Sequence, residues 1–474
     1  MTQRVSILTL MLVLVAACGR FPGIGVKPVS PVSPVSNDAP DLEFPGDVSS
    51  ETSRESLLPA DGQDLPEHAD AATSQDPTAG IAIANIAEIA ASIGLPKLQQ
   101  VGYRGQNHKI AILDNGFSGL KNSLESKRLA AGTIYVPGRP GTRSADTAHG
   151  TKLAEVVHAL APDAEILLIN SNGYSNFIRA IDEAIVRKAT MVLYAQVWEY
   201  GGNFDGGGFI NREVNRATAA GILWVNAAGN YGLATWEGAL QAIDGTTAFV
   251  APAREYRYIR FHLPAASNAK LVLTWNDFHD EKDYRTKEDF DLVIEDAGHR
   301  EVASSRLIQD GAEHGNFAND EKYSAHAREI IRAQLPQGTY FARIDVKNSG
   351  TIARLPKLRF SVDAFGAQIL DSRSANSIMI PADNPQVVTV GAWDTAISAT
   401  GDGPLWNKPD VMAPSRLSFT DGQMVMGSSS AAAIATGALA VWQSRFGRIN
   451  HTQFQSMKSS GTFGNPETRH IFVQ

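Results

Sequence analysis

Apolar residues along this chain follow two alternating periods. Lys109-Ile110-Ala111-Ile112-Leu113-Asp114-Asn115-Gly116 is a continuous apolar run closed by Asp and Gly, the pattern of a strand buried on both faces. Leu153, Val156, Val157 and Leu160 then recur at helical spacing behind His149, which predicts a helix beginning at that histidine. Ala164 to Asn170 reads as the next strand. Ser175 to Ala189 reads as an amphipathic helix with Phe177, Ile178, Ile181 and Ile185 on one face. Thr190 to Val197 and Ile222 to Ala227 are further strands, the second running into Ala228-Gly229-Asn230. A helix is also expected over Ile81 to Ile93. Such alternation predicts an α/β fold built on a mainly parallel sheet with helices on both faces.

The alternation breaks between about 240 and 366. Short runs such as Ala269 to Trp275, Phe290 to Ile294 and Thr339 to Ile344, separated by turn residues, predict an inserted all-β sandwich. The α/β pattern resumes with a strand over Pro385 to Ala392 and a constrained loop at Lys408 to Pro414. It closes with Gly427-Ser428-Ser429-Ser430-Ala431-Ala432-Ala433, where hydroxyls abut small, helix-permissive residues. The expected organisation is therefore a first α/β part over 81–239, the insert over 240–366 and a second α/β part over 367–474.

Charge and composition change the picture mainly at the N-terminus. The net charge of −8 is concentrated in residues 37–80, which hold eleven acidic residues and a single base, Arg54. The remainder from 81 onward is close to neutral and offers no basic field for nucleic acid. Pro28-Val29-Ser30 repeats twice more, ending at Ser36, and an acidic Ser/Asp/Pro-rich stretch follows, so 18–80 reads as an extended tether that cannot bury enough apolar surface to fold alone. Cys18 is the sole cysteine, which excludes intrachain disulfides. Arg4 followed by the apolar run Val5 to Ala17, too short for a comfortable membrane span, ends in Val15-Ala16-Ala17-Cys18. This resembles a bacterial lipoprotein signal over 1–17, in which Cys18 becomes the lipidated, palmitate-bearing first residue of the mature chain. Gly19 after it, rather than Asp, points by the same resemblance to the outer membrane of the cell envelope. The lipid would be an anchor and not a span. A conventional cleaved signal with an incidental cysteine is the other reading.

The candidate chemistry is weak residue by residue. Asp114 after a strand is a common turn or cap, a lone His149 at a helix start is more often a cap than a catalyst, and Ser/Ala runs usually serve tight helix packing. Their order carries more. Asp114, His149, Asn230 and Ser429 succeed one another in motifs that resemble those of the subtilisin-like serine peptidases (subtilases). Leu113-Asp114-Asn115-Gly116 is similar to the aspartate motif of that family, His149-Gly150-Thr151 to its histidine motif, Ala227-Ala228-Gly229-Asn230 to its oxyanion motif and Gly427-Ser428-Ser429-Ser430-Ala431 to its nucleophile motif. The resemblance covers about 99–235 and 370–446. It implies a subtilisin-like fold and peptide-bond hydrolysis through an acyl-enzyme. In that chemistry Ser429 is the nucleophile, His149 its base, Asp114 the group that orients the base, and Asn230 an oxyanion donor.

Several positions depart from the family. Ser430 and Ala433 replace the usual Met and Pro, and Lys152 replaces a second His. Tyr194-Ala195-Gln196-Val197-Trp198 replaces a Ser-Leu-Gly substrate-pairing strand, so bulky residues are expected to reshape or narrow the cleft. The inhibitory pro-domain usual in the family is not visible. The glycines of the loop Glu199 to Gly208 lack the GK[ST] of a phosphate cradle, and no HExxH spacing is present. No cofactor is required; Asp277, Asp280, Asp283, Asp289 and Asp291 are a candidate calcium site, though charged loops are usually just solvated. The expected partners are a protein or peptide substrate and, through the lipid, a membrane. The alternative function is a catalytically silent surface lipoprotein that uses the scaffold and its insert for binding. A serine esterase ranks last, since a G-x-S-x-G elbow is absent around Ser429.

Overall fold

The computed structural model describes residues 80–139, 145, 147–243, 246–251, 254–256, 258–278, 286–312, 322–347, 356–371, 376–403 and 406–473. The expected signal segment, Cys18, the tether up to 79, Asp280 and Asp283 lie outside the described residues.

A seven-stranded sheet, parallel throughout, carries the fold. Its strands are β1 (Lys109–Asp114), β2 (Ile134–Val136), β3 (Glu165–Asn170), β4 (Met191–Tyr194), β5 (Leu223–Ala227), β6 (Val388–Ala392) and β7 (Val411–Ala413), in the order β2-β3-β1-β4-β5-β6-β7. Helices α1 (His149–Leu160), α2 (Tyr174–Val186), α3 (Phe209–Ala219) and α4 (Ser428–Phe446) flank it. Successive strand side chains point to opposite faces, so one run feeds two cores. Ala111 and Leu113 of β1 join the core that holds Phe177 of α2 and Val214 of α3. Ile110 and Ile112 join the core that holds Val156 of α1 and Leu439 of α4. The chain is thus an α/β protein with helices on both faces of a large parallel sheet, as its periodicity indicates.

α4 is buried from Ser428 through Gln443, and its small residues are what let it lie inside the fold. A Cβ added at Gly437 would come within 2.8 Å of Leu160 Cβ, so this glycine sets how closely α4 approaches α1.

Some elements differ from the sequence pattern for identifiable reasons. The strand expected over Thr190 to Val197 is regular only to Tyr194. Beyond it the carbonyls of Ala195 and Gln196 accept from Ser429 Oγ and Asn226 Nδ2, and Trp198 N–H donates to Ile380 at 2.6 Å, so these backbone groups are spent outside the ladder. The helix expected to reach Ala189 stops at Val186, because Lys188 takes the left-handed conformation (φ 57°). Part of the loop expected at Lys408 to Pro414 is the strand β7. The first turn expected from Ile81 is extended instead: Ala84 N–H donates to Ser418 and Thr420 N–H to Ala82, and the helix begins at Ile86.

Between β5 and β6 the chain builds two antiparallel sheets. The six-stranded one runs in the order Arg328–Leu335, Ser267–Trp275, Lys357–Asp363, Thr235–Ile243, Thr246–Ala251, Arg254–Tyr256. The five-stranded one runs Glu301–Ser305, Phe290–Glu295, Gly338–Val346, Ile259–Leu263, Gln368–Ile369. Trp275 meets Phe290 edge-on at 4.9 Å, and Phe261 lies 5.8 Å from Phe360. This core is continuous with the α2/α3 core through Trp198, Tyr200, Phe209 and Phe278.

Candidate active site

In an open parallel sheet, loops gather where strands end at their carboxyl tips. Asp114 ends β1, Ala195 follows β4, and Ala228-Gly229-Asn230 follows β5. Register ties these tips together: Leu113 pairs with Tyr194, and Tyr194 pairs with Asn226.

Asp114 is fully buried. Its Oδ1 accepts the Gly116 N–H at 3.1 Å, and its Oδ2 lies 2.6 Å from His149 Nδ1. The histidine opens α1, with its backbone N–H donating to Thr147 Oγ1 at 3.1 Å. The next residue must be small. A Cβ on Gly150 would fall 2.5 Å from the Phe117 ring, 2.7 Å from Asp114 Cβ and 2.8 Å from the Gly116 carbonyl. Glycine there lets the helix start lie against the Asp114 loop, and Gly150 N–H donates to Gly116 at 3.1 Å. With Nδ1–H directed to the carboxylate, the imidazole keeps its basic lone pair on Nε2.

Ser429 is the second residue of α4 and is buried, its hydroxyl donating to the Ala195 carbonyl at 3.0 Å. The preceding residue binds the β5 loop twice. Ser428 Oγ accepts the Gly229 N–H at 3.0 Å, and Ser428 N–H donates to Asn230 Oδ1 at 3.0 Å. Asn230 Nδ2 is buried with no hydrogen-bond partner among the described residues. A buried amide donor left unspent costs free energy on the order of 1–3 kcal/mol. The four sequence-derived residues thus fall into two bonded groups, Asp114 at the end of β1 with His149 at the start of α1, and Asn230 after β5 with the Ser428-Ser429 start of α4.

The bulky residues of 194–198 turn away from Ser429. Tyr194 and Trp198 enter the core beneath the sheet, with Phe177 at 5.1 Å and 5.9 Å respectively, and Trp198 Nε1 donates to the Tyr194 hydroxyl at 2.9 Å. Burial raises the Tyr194 phenol, so this hydroxyl stays protonated and neutral. What the segment presents beside Ser429 is backbone, together with Val197, which packs with Ala228 in a small separate cluster.

Sequence reading missed Glu199. It is wholly buried, accepts from Tyr231 Oη at 2.8 Å and pairs with Lys270 Nζ at 3.0 Å. Burial, and next the Asp363 carboxylate, push its carboxyl up to about 8, against the Tyr231 hydroxyl, which draws it down. Nothing local in Trp198-Glu199-Tyr200 signals this; the partners come from two other segments. At the acidic loop of the insert, Asp277 accepts from Thr286 Oγ1 at 2.5 Å and Asp291 pairs with Lys347 at 2.8 Å. Among the described residues no group of three or more His, Cys, Asp or Glu side chains is placed to hold a metal ion.

Comparison with known proteins agrees with this architecture. Residues 347–461 match the Subtilase family model, a stretch that includes Ser429 but not Asp114, His149 or Asn230. Subtilisin J of Geobacillus stearothermophilus is 25% identical over 150 residues, covering 30% of this chain and 39% of the relative. Alkaline elastase YaB of Bacillus sp. (strain YaB) is 29% identical over 148 residues, covering 29% of this chain and 38% of the relative. The matched stretch therefore spans about two fifths of the length of these relatives. Among solved structures, the Clostridium perfringens CspB protease shares the fold at a TM-score of 0.50 and 12% identity, covering 81% of this chain and 97% of that one. The chain is thus similar to the subtilase family over residues 347–461, and it shares its fold with the CspB protease.

Proposed function

We propose that this protein is a serine endopeptidase tethered to the cell envelope by a lipid on Cys18. The observation that carries the catalytic part is the pairing of two prepared half-sites. Asp114 Oδ2 stands 2.6 Å from His149 Nδ1, while Asn230 commits its oxygen to the Ser428 N–H and keeps its amide donor unspent beside Ser429.

In this reading the Ser429 hydroxyl leaves the Ala195 carbonyl by rotation about one side-chain bond and donates to His149 Nε2. The oxygen attacks the substrate carbonyl carbon as His149 takes the proton, and Asp114 stabilises the imidazolium without becoming protonated. Negative charge on the former carbonyl oxygen is met by Asn230 Nδ2 and by the backbone N–H of Ser429 at the positive end of α4. His149 returns its proton to the leaving amine, and water then repeats the sequence on the acyl-enzyme. The released Ala195 carbonyl becomes an acceptor for a substrate N–H.

The anchor rests on the Val15-Ala16-Ala17-Cys18 pattern. Among the described residues no helix is long and apolar enough to cross a membrane.

The test is fluorophosphonate labelling and cleavage of an unstructured protein substrate by the full chain and by its Ser429→Ala variant. Labelling and cleavage by the wild type alone support the proposal. Label that persists in Ser429→Ala removes that residue from the role. A folded wild type that neither labels nor cleaves favours the silent binding protein.

A further inference from the structure

The loop that carries Asn230 is held from two sides. On one side Ser428 binds Gly229 and Asn230, Ala399 N–H donates to Gly229 at 2.8 Å and Gly232 N–H donates to Ile397 at 2.8 Å. On the other side Ala228 and Tyr231 pack in one cluster with Val197. Tyr231, immediately after Asn230, donates its hydroxyl to Glu199 Oε1 at 2.8 Å. Glu199 belongs to the opposite segment, the one whose Ala195 carbonyl holds Ser429. Its second oxygen accepts from Lys270 Nζ at 3.0 Å, and Lys270 lies on the strand Ser267–Trp275 of the inserted six-stranded sheet. A single buried carboxylate thus joins the Ser429-side segment, the Asn230 loop and the insert. Glu199 is buried, and its two partners come from the Asn230 loop and from the insert, so the junction depends on both.

We propose that Glu199 is a positioning residue for the Asn230 loop and that Lys270 completes it, so that the inserted β-domain forms part of the oxyanion side of the active site. The inference rests on the peptidase reading above. The insert then acts on the reaction through rigidity of the loop: Lys270 fixes Glu199, Glu199 fixes Tyr231, and Tyr231 fixes the backbone from which Asn230 projects. Catalytic hydrogen-bond donors work by being held in place before charge develops, so a loosened loop lowers turnover more than substrate binding.

Tyr231→Phe removes one hydroxyl and leaves the Glu199–Lys270 pair intact. In the full chain, kcat is expected to fall about tenfold with KM within a factor of about two, and the fluorophosphonate labelling rate to fall in parallel. In an Asn230→Ala background the same substitution is expected to change neither rate, because the donor it positions is gone. Lys270→Met, read in the same two backgrounds, is expected to repeat the pattern from the insert side. Thermal unfolding of each variant accompanies the kinetics. Equal losses in the presence and absence of Asn230, or no loss in either, overturn the positioning role while leaving the peptidase assignment intact. A folded wild type with no Ser429-dependent labelling overturns the peptidase assignment and this inference with it.

Discussion

Asn230 Oδ1 accepts the backbone N–H of Ser428 at 3.0 Å, joining residues 198 positions apart in sequence. A carboxamide has one acceptor and two donors, so this bond decides which end of Asn230 faces the helix start and which is left for a ligand. Asn230→Ala should therefore lower kcat by about 100- to 1000-fold with little change in KM, a magnitude established for an oxyanion donor in a subtilisin and carried here to Asn230. Steady-state kinetics on a peptide ester and a peptide amide check it. A large rise in KM at constant kcat would assign Asn230 to substrate binding instead.

Gly150 controls the distance between α1 and the Asp114 loop. An added methyl lands 2.5 Å from the Phe117 ring and 2.7 Å from Asp114 Cβ, so Gly150→Ala should destabilise the protein by about 1–3 kcal/mol. It should also slow fluorophosphonate labelling by moving His149 away from Asp114. Gly132, where an added Cβ meets nothing within 4 Å, is the control, and Gly132→Ala should change neither quantity.

The second α/β part is locked by a buried ion pair whose response to pH can be read in sign. Lys408 Nζ lies 2.6 Å from Asp410 Oδ2, and Lys458 lies 3.2 Å from Oδ1. Burial alone would raise the Asp410 carboxyl, but Lys408, Lys458 and the Thr389 N–H outweigh it and hold the group far below the usual carboxylate range. Between that folded value and the unfolded value of about 4, the unfolded chain binds more protons, so stability rises with pH there. The contribution is complete above about pH 4 and is lost as pH falls towards the folded value. Asp410→Asn should thus cost about 3–5 kcal/mol near neutrality, because Lys408 is left buried and unpaired. In denaturant titrations the gap between wild type and variant should hold from about pH 5 to 8 and narrow below about pH 4.

If Cys18 carries the anchor, Cys18→Ser should move the protein from the membrane fraction to the soluble fraction and abolish incorporation of an alkyne-tagged fatty acid. Labelling by fluorophosphonate should be unaffected, since the lipid site takes no part in the chemistry. Equal membrane partitioning of the two forms would refute the anchor.

Large parts of this molecule are legible in its sequence. The continuous apolar run Lys109 to Asp114 specifies a doubly buried strand, and its alternate residues serve the two helical layers that the α/β pattern requires. Asp114, His149, Asn230 and Ser429 stand out because each is set beside glycine or small residues, a local need for close backbone approach that leaves a short motif. The inserted region is legible as strand-length runs, and its antiparallel strands run from Thr235 to Ile369. Strand edges depend on pairing partners, which neighbouring residues do not encode.

What only tertiary structure decided is which polar groups meet. Tyr194 and Trp198 look like obstructions in sequence, yet they fill the core because Phe177 and Trp224 lie beneath the sheet to receive them. Glu199 looks like an ordinary loop acid until Tyr231 and Lys270 arrive from segments on either side of the insert boundary. Periodicity and small-residue motifs are local properties, fixed by sterics within a few residues, and the sequence by itself determined them. Hydrogen bonds between groups far apart in the chain exist only after burial removes water as the competing partner, so they were decided by the fold.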